Sequence, residues 1–233
     1  MSSLLISTCI ITQNNVMSLR RTIACVERFS DEIVVVDGGS TDGTESFVRA
    51  HPKCVYLSRA FEGNFALQKN FAFEHASGTW IVELDDDEVL CDEFARSIRS
   101  LLETAPGLGF ALRRWWICSL DPLQYVSTEL YETTWIPRVF RNRPELRYVC
   151  PQDGINSGVI HHEFAKDVQA RIAPVSQWRI LHFHYLLRSR AERETRFAWF
   201  YTMDPECVEM NARCYLYEDY SHDILPCPAQ WTG

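Results

Sequence analysis

Residues 80–88 read WIVELDDDE, an apolar stretch that runs directly into four consecutive acids. An apolar run of this length is typical of a strand buried inside a sheet. Four adjacent carboxylates repel one another, whereas a hard divalent cation with diphosphate oxygens converts that repulsion into ligation. The structural alternative is an acidic start to the helix predicted from Cys91 to Leu102, because the helix dipole favours acids there. The motif by itself leaves both interpretations open.

A second acid follows an apolar strand further upstream. Residues 33–36 form a buried run that ends in Asp37, and the turn-forming stretch GGSTDG follows at 38–43. In open α/β sheets, ligands bind outside the carboxyl ends of the strands. We therefore expect Asp37 and the acids at 85–88 to meet at one crevice. A carboxylate at position 37 can accept hydrogen bonds from a base or ribose or can stabilise the turn, and Asp42 is expected to cap the next helix.

The first half of the chain alternates strands with helices. Strands are predicted at 4–11, 33–36, 54–57 and 80–84, with helices between and after them, including one at 64–76. This alternation predicts a parallel α/β fold. The second half is less regular, with aromatic-rich strands near 110–117 and 133–140, a loop-rich stretch at 142–158 and a helix near 188–201. A chain of 233 residues is expected to form one domain.

Composition excludes some classes of function. The formal net charge of −8 argues against nucleic-acid binding, which depends on Lys and Arg neutralising phosphates. The nine cysteines contain no CxxC pair and predict reduced core thiols in a cytoplasmic protein. The N-terminal apolar stretch lacks a basic leader and is interpreted as the first strand. No window reaches the roughly 18 apolar residues of a membrane span, which leaves peripheral membrane contact open.

Four motifs together resemble a known enzyme family. Thr12-Gln13-Asn14, IVVVDGGSTDGT at 33–44, Gln68-Lys69-Asn70 and WIVELDDDE occur in the order and approximate spacing seen in family 2 glycosyltransferases. The chain resembles most the branch with an LDADE form of the acidic motif, strongly over residues 4–105. The resemblance implies the GT-A fold, a single α/β domain with a mostly parallel central sheet flanked by helices. It also implies that residues 1–105 bind a nucleotide sugar and that residues 106–233 bind the acceptor and supply the catalytic base.

The resemblance further implies roles for individual residues. The implied nucleotide-sugar-binding set is Thr12, Asn14, Asp37, Lys69, Asp85 and Asp86. Within it, Asp37 would contact the nucleoside, Thr12 would line the base pocket, and Asp85 would lie near the ribose or the metal. Asp87 would be the direct ligand of Mn²⁺ or Mg²⁺. For Lys69, an exposed helix lysine is the competing interpretation.

Three motifs in the second half resemble the same branch more loosely. These are WIPRVFR at 135–141, GVIHHE at 158–163 and ILHFHY at 180–185. An inverting transfer needs a carboxylate that removes the acceptor's proton, and the candidates are Glu163, preferred from its motif, and Asp153. The stretch between residues 141 and 158 is longer than in the branch and leaves the choice open.

Histidines and aromatic residues add further candidates. His182 or His184 can complete the metal shell, since neutral imidazole is a good ligand, and His184 joins Asp87 and Asp85 as the predicted metal set. On a strand the two histidines would share one face; a buried structural histidine is the alternative. Four aromatic residues can form an acceptor platform, although at least two are expected to be core. They are Trp115, Trp116, Tyr131 and Trp135.

The last predicted helix carries four arginines interleaved with acids. They are Arg188, Arg190, Arg193 and Arg196. A solvated face with local ion pairs is the expected interpretation, and contact with a diphosphate or a membrane surface is the alternative.

The sequence thus predicts transfer of a sugar from a nucleotide-diphospho-sugar donor (UDP, GDP or dTDP) to a glycan, lipid-linked or protein acceptor. A sugar-1-phosphate nucleotidyltransferase is an alternative, but Ile11-Thr12-Gln13-Asn14 lacks the glycine-rich basic loop expected after its first strand. A phosphatase of the haloacid dehalogenase type is disfavoured, because a serine stands where that family needs its nucleophilic aspartate. A non-catalytic nucleotide-sugar-binding domain remains a third interpretation.

Overall fold

Four parallel strands build the first half of the sheet in the computed structural model, which describes residues 5–149, 164–203, 208–220 and 222–228. They are β1 (Ile6–Thr12), β2 (Glu32–Asp37), β3 (Cys54–Ser58) and β4 (Trp80–Asp85). Their order across the sheet is β3-β2-β1-β4. Thr12 is in register with Asp37, and Ile11 with Asp85. The carboxyl ends of three strands therefore meet at one edge, as predicted.

Helices connect these strands, and their apolar faces cover the sheet. They are α1 (Val16–Val26), α2 (Thr44–Ala50), α3 (Phe65–His75) and α4 (Asp92–Thr104). In α4, Phe94, Ile98 and Leu102 are buried at helical spacing. A short strand, β5 (Glu88–Leu90), separates the acidic run from α4, whose N-cap is Cys91. The alternative that the acids open this helix is therefore wrong.

The second half extends the same sheet with mostly antiparallel strands. Its elements are β6 (Gly109–Leu120), β7 (Leu123–Ser127), α5 (Glu129–Thr133), β8 (Ile136–Arg141), α6 (Lys166–Gln169), β9 (Ile172–His182), α7 (His184–Leu187), α8 (Arg190–Met203), α9 (Val208–Tyr215) and β10 (Asp223–Pro226). The sheet continues from β4 through β8, β6 and β7 to β10 by antiparallel pairing. Strand β9 pairs in parallel with β6 and antiparallel with β5. The predicted α/β class is confirmed, with a sheet that is parallel in its first half and mixed beyond it.

The central strands are apolar on both faces. Val34 and Val36 of β2 belong to one apolar cluster, and Ile33 and Val35 belong to the other. Alternate side chains of a strand point to opposite faces, so both faces are covered. Each such side chain contributes about 1.5–3 kcal/mol on burial. This core holds the strand ends, and the loops that follow them, in fixed positions.

Two further expectations from the sequence concern the state of the cysteine thiols and the possibility of a membrane-spanning helix. All seven cysteines in the described ranges are free thiols, and Cys9, Cys91 and Cys227 are buried. Burial raises the pKa of the Cys9 thiol well above its ordinary value. Of the helices within the described ranges, none combines the length and apolarity that crossing a membrane requires.

Candidate active site

A cavity of about 890 Å³ opens at the carboxyl ends of the parallel strands. Its volume lies within the range of about 300–1,000 Å³ that is usual for small-molecule sites. The first half of the chain contributes Thr12, Gln13, Gly38, Lys69, Asp85, Asp86 and Asp87 to its wall, and the second half contributes Arg114, Trp116, Arg138, His182, His184, Arg188 and Trp199. Both halves of the sheet therefore build one site.

Asp87 lies between two histidines at the floor of this cavity. Its Oδ1 is 3.1 Å from Nε2 of His182, and its Oδ2 is 3.8 Å from Nδ1 of His184. Ligand atoms of the three side chains lie within 4.8 Å of one another, and all three residues are buried. Within the described ranges, this is the group of histidine, cysteine and acidic side chains with the geometry to hold a metal ion.

The two histidines reach Asp87 from different elements. His182 is the last residue of β9, whereas His184 is the first residue of α7. The segment is therefore not one continuous strand, and the condition under which the two histidines would share a face is not met. The chain turns at Phe183, whose backbone N–H donates to the carbonyl of Asp87 over 2.9 Å. This backbone bond keeps both rings beside the same carboxylate.

The protonation states of Asp87 and His184 suit a cation. Burial tends to raise the pKa of Asp87. The combined effect of His182, His184 and Arg188 is larger, and it holds the pKa well below the ordinary value. Burial lowers the pKa of His184 to about 3, so its ring is neutral. Nδ1 of His182 and Nε2 of His184 are buried, and no hydrogen-bond partner for either occurs among the described residues. Two imidazoles and a carboxylate form a donor set that suits Mn²⁺ better than Mg²⁺, which prefers oxygen ligands and water.

Asp85 points into a different environment from Asp87. Its Oδ1 accepts from Nζ of Lys69 at 2.8 Å, and its Oδ2 accepts from Arg138 at 3.1 Å and from Arg114 at 3.5 Å. Burial tends to raise the pKa of Asp85, but these three cations hold it well below the ordinary value. Lys69 is 2% exposed, so the alternative that it is an exposed helix lysine is wrong. Asp85, predicted as a second metal ligand, is not part of the Asp87 group.

The same cations continue into a deeper ion network. Arg138 contacts Glu83, and its Nη2 lies 3.1 Å from Glu88. Arg114 lies 2.6 Å from Glu88, and Lys69 lies 2.6 Å from Glu83. Three acids, counting Asp85, thus face three cations. Sequence reasoning missed Arg138, although an arginine inside an apolar strand signals a buried partner.

Asp86 anchors its loop to the first strand and helix. Its Oδ2 accepts from Oγ1 of Thr12 at 2.7 Å, and its Oδ1 accepts from Nδ2 of Asn15 at 2.9 Å. Burial and then the charge of Asp87 raise the pKa of Asp86 to about 7. Thr12 therefore lines the cavity with Asp86 as its partner, and its place in a base pocket stays a prediction. Asn15 is a contact that the sequence motifs did not reveal.

Asp37 organises the turn that follows β2. Its Oδ1 accepts from the backbone N–H of Gly39 at 3.0 Å and of Ser40 at 2.8 Å, and its Oδ2 accepts from the hydroxyl of Tyr56 at 2.9 Å. Burial, followed by this carboxylate, raises the pKa of Tyr56 to about 12. These contacts support the turn-stabilising alternative, and contact with a nucleoside stays a prediction.

Asn14 and Asp42 join the loops after β1 and β2. Asn14 has a positive φ of 51°, and its Oδ1 accepts from the backbone N–H of Thr41 at 2.8 Å. Asp42 accepts from the backbone N–H groups of Thr44 at 3.2 Å and of Val16 at 2.8 Å. Asp42 thus ties together the starts of α1 and α2, but it is not the predicted cap, because the N-cap residue of α2 is Gly43.

The aromatic candidates divide between core and cavity wall. Trp115, Trp116 and Tyr131 are 5–6% exposed, so at least two of the four are core as predicted. Trp116 stacks on Tyr131 with ring centroids 5.3 Å apart, and both also line the cavity. Trp135 is half-buried at the wall, with the guanidinium of Arg113 4.6 Å from its ring centroid. The described wall therefore offers an aromatic surface to a ligand.

The four arginines of the last predicted helix differ in environment. Arg190 forms surface ion pairs with Glu194 and Asp219, as expected of a solvated face. Arg193 is only 4% exposed and contacts Glu218, and Arg196 lines the cavity. Arg188 enters the cavity, where its Nη1 lies 2.9 Å from Oδ2 of Asp87. The solvated-face prediction is therefore wrong for three of the four. The predicted catalytic bases, Glu163 and Asp153, lie outside the described residues.

Comparisons with known proteins point to one enzyme family. Residues 7–154 match the sequence family described as Glycosyl transferase family 2. A TPR repeat-containing protein of Synechococcus elongatus is 28% identical over 75% of this chain and 39% of its own length. The lipopolysaccharide core biosynthesis glycosyltransferase LpsC of Rhizobium meliloti is 37% identical over 42% of this chain and 35% of its own.

Solved structures share the fold at low identity. The mannosyltransferase PcManGT from Pyrobaculum calidifontis, in complex with GDP-Man and Mn²⁺, has a TM-score of 0.57 at 18% identity, covering 94% of this chain and 65% of its own. TarS residues 1–349 from S. aureus, in complex with UDP, has a TM-score of 0.55 at 13% identity, covering 92% and 70%. The chain spans 31–39% of the length of the curated relatives it matches. On the family match, which covers more than half of its residues, this chain belongs to glycosyl transferase family 2.

Proposed function

We propose that this chain transfers a glycosyl group from a nucleotide-diphospho-sugar donor to an acceptor hydroxyl. The observation that carries the proposal is the group of Asp87, His182 and His184 at the floor of the cavity, in a chain of this family. Two proteins of similar fold support the donor class, since one is described with GDP-Man and Mn²⁺ and the other with UDP. The nucleoside of this chain's donor, whether UDP, GDP or dTDP, is left to experiment.

A divalent cation, Mn²⁺ rather than Mg²⁺, fits the residues present. The cation would be held by Asp87, His182 and His184, three buried side chains whose ligand atoms lie within 4.8 Å of one another. When bound, such an ion supplies charge neutralisation to the departing diphosphate. Asp85, whose oxygens accept from Lys69 and two arginines, is assigned a supporting role in this proposal.

The chain's own side chains would bind and orient the donor. Arg114 and Arg188 are cations on the cavity wall that can donate to phosphate oxygens. Asp86 fixes the loop after β4 to Thr12, which keeps Asp87 in place. We propose that residues 1–105 make the main nucleotide contacts and that residues 106–233 bind the acceptor. His182, His184 and Arg114 belong to the second half but also line the proposed donor site. The two halves therefore differ in their main contacts and share some of the others.

The proposed reaction inverts the anomeric centre. In such a transfer, a carboxylate removes the acceptor's proton on the face opposite the leaving diphosphate. Glu163 and Asp153 are the proposed candidates from the sequence. Glu163→Gln or Asp153→Asn is expected to lower kcat by roughly 100-fold or more with little change in donor affinity. Steady-state kinetics and donor titrations on the two variants identify the base, and normal kcat in both would remove them as candidates.

Binding and product analysis test the proposal. Wild-type protein is titrated with UDP-, GDP- and dTDP-sugars with and without Mn²⁺, and thermal stabilisation reports binding because a ligand of the native state raises Tm. We expect stabilisation by one nucleotide family that requires Mn²⁺, is lost in Asp87→Asn and is kept in the surface control Asp219→Asn.

The products then separate the alternatives. Glycosyl transfer or donor hydrolysis releases a nucleoside diphosphate, whereas a nucleotidyltransferase releases pyrophosphate. Binding without turnover across glycan, lipid-linked and protein acceptors would favour the non-catalytic interpretation. An Mn²⁺-independent shift that is unchanged in Asp87→Asn would contradict the proposed site.

A further inference from the structure

The guanidinium of Arg188 lies where the proposed cation would bind. Its Nη1 is 2.9 Å from Oδ2 of Asp87 and 3.1 Å from Nδ1 of His184, atoms of two of the three residues in the candidate metal group. Metal–ligand distances are about 2.1 Å, so a nitrogen in this position leaves no room for an ion on the same atoms. The contacts in this state are therefore incompatible with a bound cation on those two atoms.

We propose that Arg188 is an exchangeable cation, which neutralises Asp87 in the metal-free chain and moves to the donor diphosphate when metal binds. This inference rests on the proposed function. Asp87 is only 7% exposed, and an isolated buried carboxylate is costly. Without a bound metal, a positive partner would offset that cost, and its departure would be part of metal binding.

The position of Arg188 permits this exchange. The residue lies between α7 (His184–Leu187) and α8 (Arg190–Met203), outside either helix. Its side chain is 17% exposed and lines the cavity, so the guanidinium can leave Asp87 without leaving the site. Arginine donates to phosphate oxygens through a planar fork, which suits a diphosphate held beside the cation.

Neighbouring arginines make different contacts. Arg190 pairs at the surface with Glu194 and Asp219. Arg114 lies 2.6 Å from Glu88 and belongs to the ion network around Asp85. Among the described residues, Arg188 is thus the arginine that donates hydrogen bonds to the candidate metal group.

The exchange predicts that removing Arg188 changes the affinity for Mn²⁺ and the affinity for a nucleoside diphosphate in opposite directions. In Arg188→Gln, we expect Mn²⁺ alone to bind about fivefold more tightly, because a competing cation is gone. With Mn²⁺ saturating, we expect UDP or GDP, whichever the wild type binds better, to bind about tenfold more weakly, because a charge-assisted contact is lost. A purely structural role would weaken both. Arg188→Lys, which keeps the charge, should lie between the wild type and Arg188→Gln in both measurements.

Isothermal titration of each variant with Mn²⁺, and then with the nucleoside diphosphate, provides both readouts without measuring turnover. Arg190→Gln is the matched control, because it removes the same charge from the surface and should leave both affinities unchanged. Unchanged or weaker Mn²⁺ binding in Arg188→Gln overturns the inference, as does tighter Mn²⁺ binding with unchanged diphosphate affinity. Equal Mn²⁺ binding by wild type and Asp87→Asn instead overturns the proposed metal site itself.

Discussion

Asp85 and Asp87 are two residues apart, yet their carboxylates have different partners. Asp85 joins a network in which three acids face three cations, namely Lys69, Arg114 and Arg138. Asp87 faces two histidines together with Arg188. One carboxylate is balanced by three buried or half-buried cations, and the other is shared between two imidazoles and a single arginine. The difference indicates that adjacent acids of one motif can separate into a structural role and a ligand-binding role.

Substitution of Arg138 is expected to disrupt the ion network around Asp85 with the largest loss of stability. It is 1% exposed and pairs with Glu83 and Glu88, which are themselves buried. Arg138→Met is expected to lower the free energy of unfolding by about 3–5 kcal/mol, because two buried carboxylates each lose one of their two cationic partners. Urea denaturation measures the loss.

A surface ion pair provides the control for that loss. Arg143 and Glu145 pair with about half of each side chain exposed, so Arg143→Met should change stability by no more than about 0.5 kcal/mol. Adding Glu83→Gln alone to Arg138→Met should restore part of the stability, since two acids, Asp85 and Glu88, then face two cations, Lys69 and Arg114. Equal losses from the two arginine substitutions would contradict a special role for the network.

Separate substitutions of Asp87 and Asp85 test directly whether one carboxylate binds metal and the other stabilises the fold. Asp87→Asn is expected to weaken Mn²⁺ binding by at least about 100-fold, more than is typical for loss of an outer-shell partner. Asp85→Asn is expected to change Mn²⁺ affinity by less than about threefold, and to lower stability by about 1–3 kcal/mol through its lost charged hydrogen bonds. Manganese titration followed by EPR gives the affinities. A large loss of Mn²⁺ affinity in Asp85→Asn would instead make Asp85 a ligand, as the sequence motif predicts.

The histidines test the Asp87 side of the comparison with a smaller effect. His182→Gln and His184→Gln each remove one imidazole and are expected to weaken Mn²⁺ binding by roughly 10- to 100-fold. His51→Gln is the control, because His51 pairs with Glu27 at the surface. The same EPR titration applies. Mn²⁺ affinity that is normal in both buried variants would leave Asp87 without its proposed partners.

Local sequence pattern was sufficient for the strands and for the edge where they end. The apolar runs before Asp37 and Asp85 predicted β2 and β4, and their parallel order placed both carboxyl ends at one crevice. The resemblance to family 2 glycosyltransferases, since confirmed, placed Thr12 and Lys69 at the same site, and both line the cavity. These predictions depend on short-range periodicity or on motifs, and both are visible in a single sequence.

Long-range pairing could not be predicted in this way. Glu83 and Arg138 are 55 residues apart, and nothing in the periodicity of either strand indicates that they meet. Arg188 alternates with acids along the chain and was interpreted as part of a solvated face, whereas it reaches Asp87 across 101 positions. Which acid is neutralised depends on such partners, so the run of four acids could not be divided from the sequence alone.

Thr12 tests whether the structural contacts of the loop after β4 serve the site. Its hydroxyl donates to Asp86 over 2.7 Å, beside the carboxylate of Asp87. Thr12→Val is expected to weaken Mn²⁺-dependent donor binding by about three- to tenfold, because Asp86 loses one of its donors and the loop loses a tether. Isothermal titration with the best nucleotide sugar measures the change.

Thr8 offers a matched comparison on the same strand. Its buried hydroxyl pairs with that of Ser30 at 2.6 Å and does not line the cavity. Thr8→Val should lower stability by about 1–3 kcal/mol, since Ser30 loses a buried partner, while donor affinity stays at the wild-type value. Equal losses of donor affinity in Thr8→Val and Thr12→Val would mean that β1 acts only through general stability. A loss confined to Thr12→Val would mean that the contact with Asp86 positions the loop for binding.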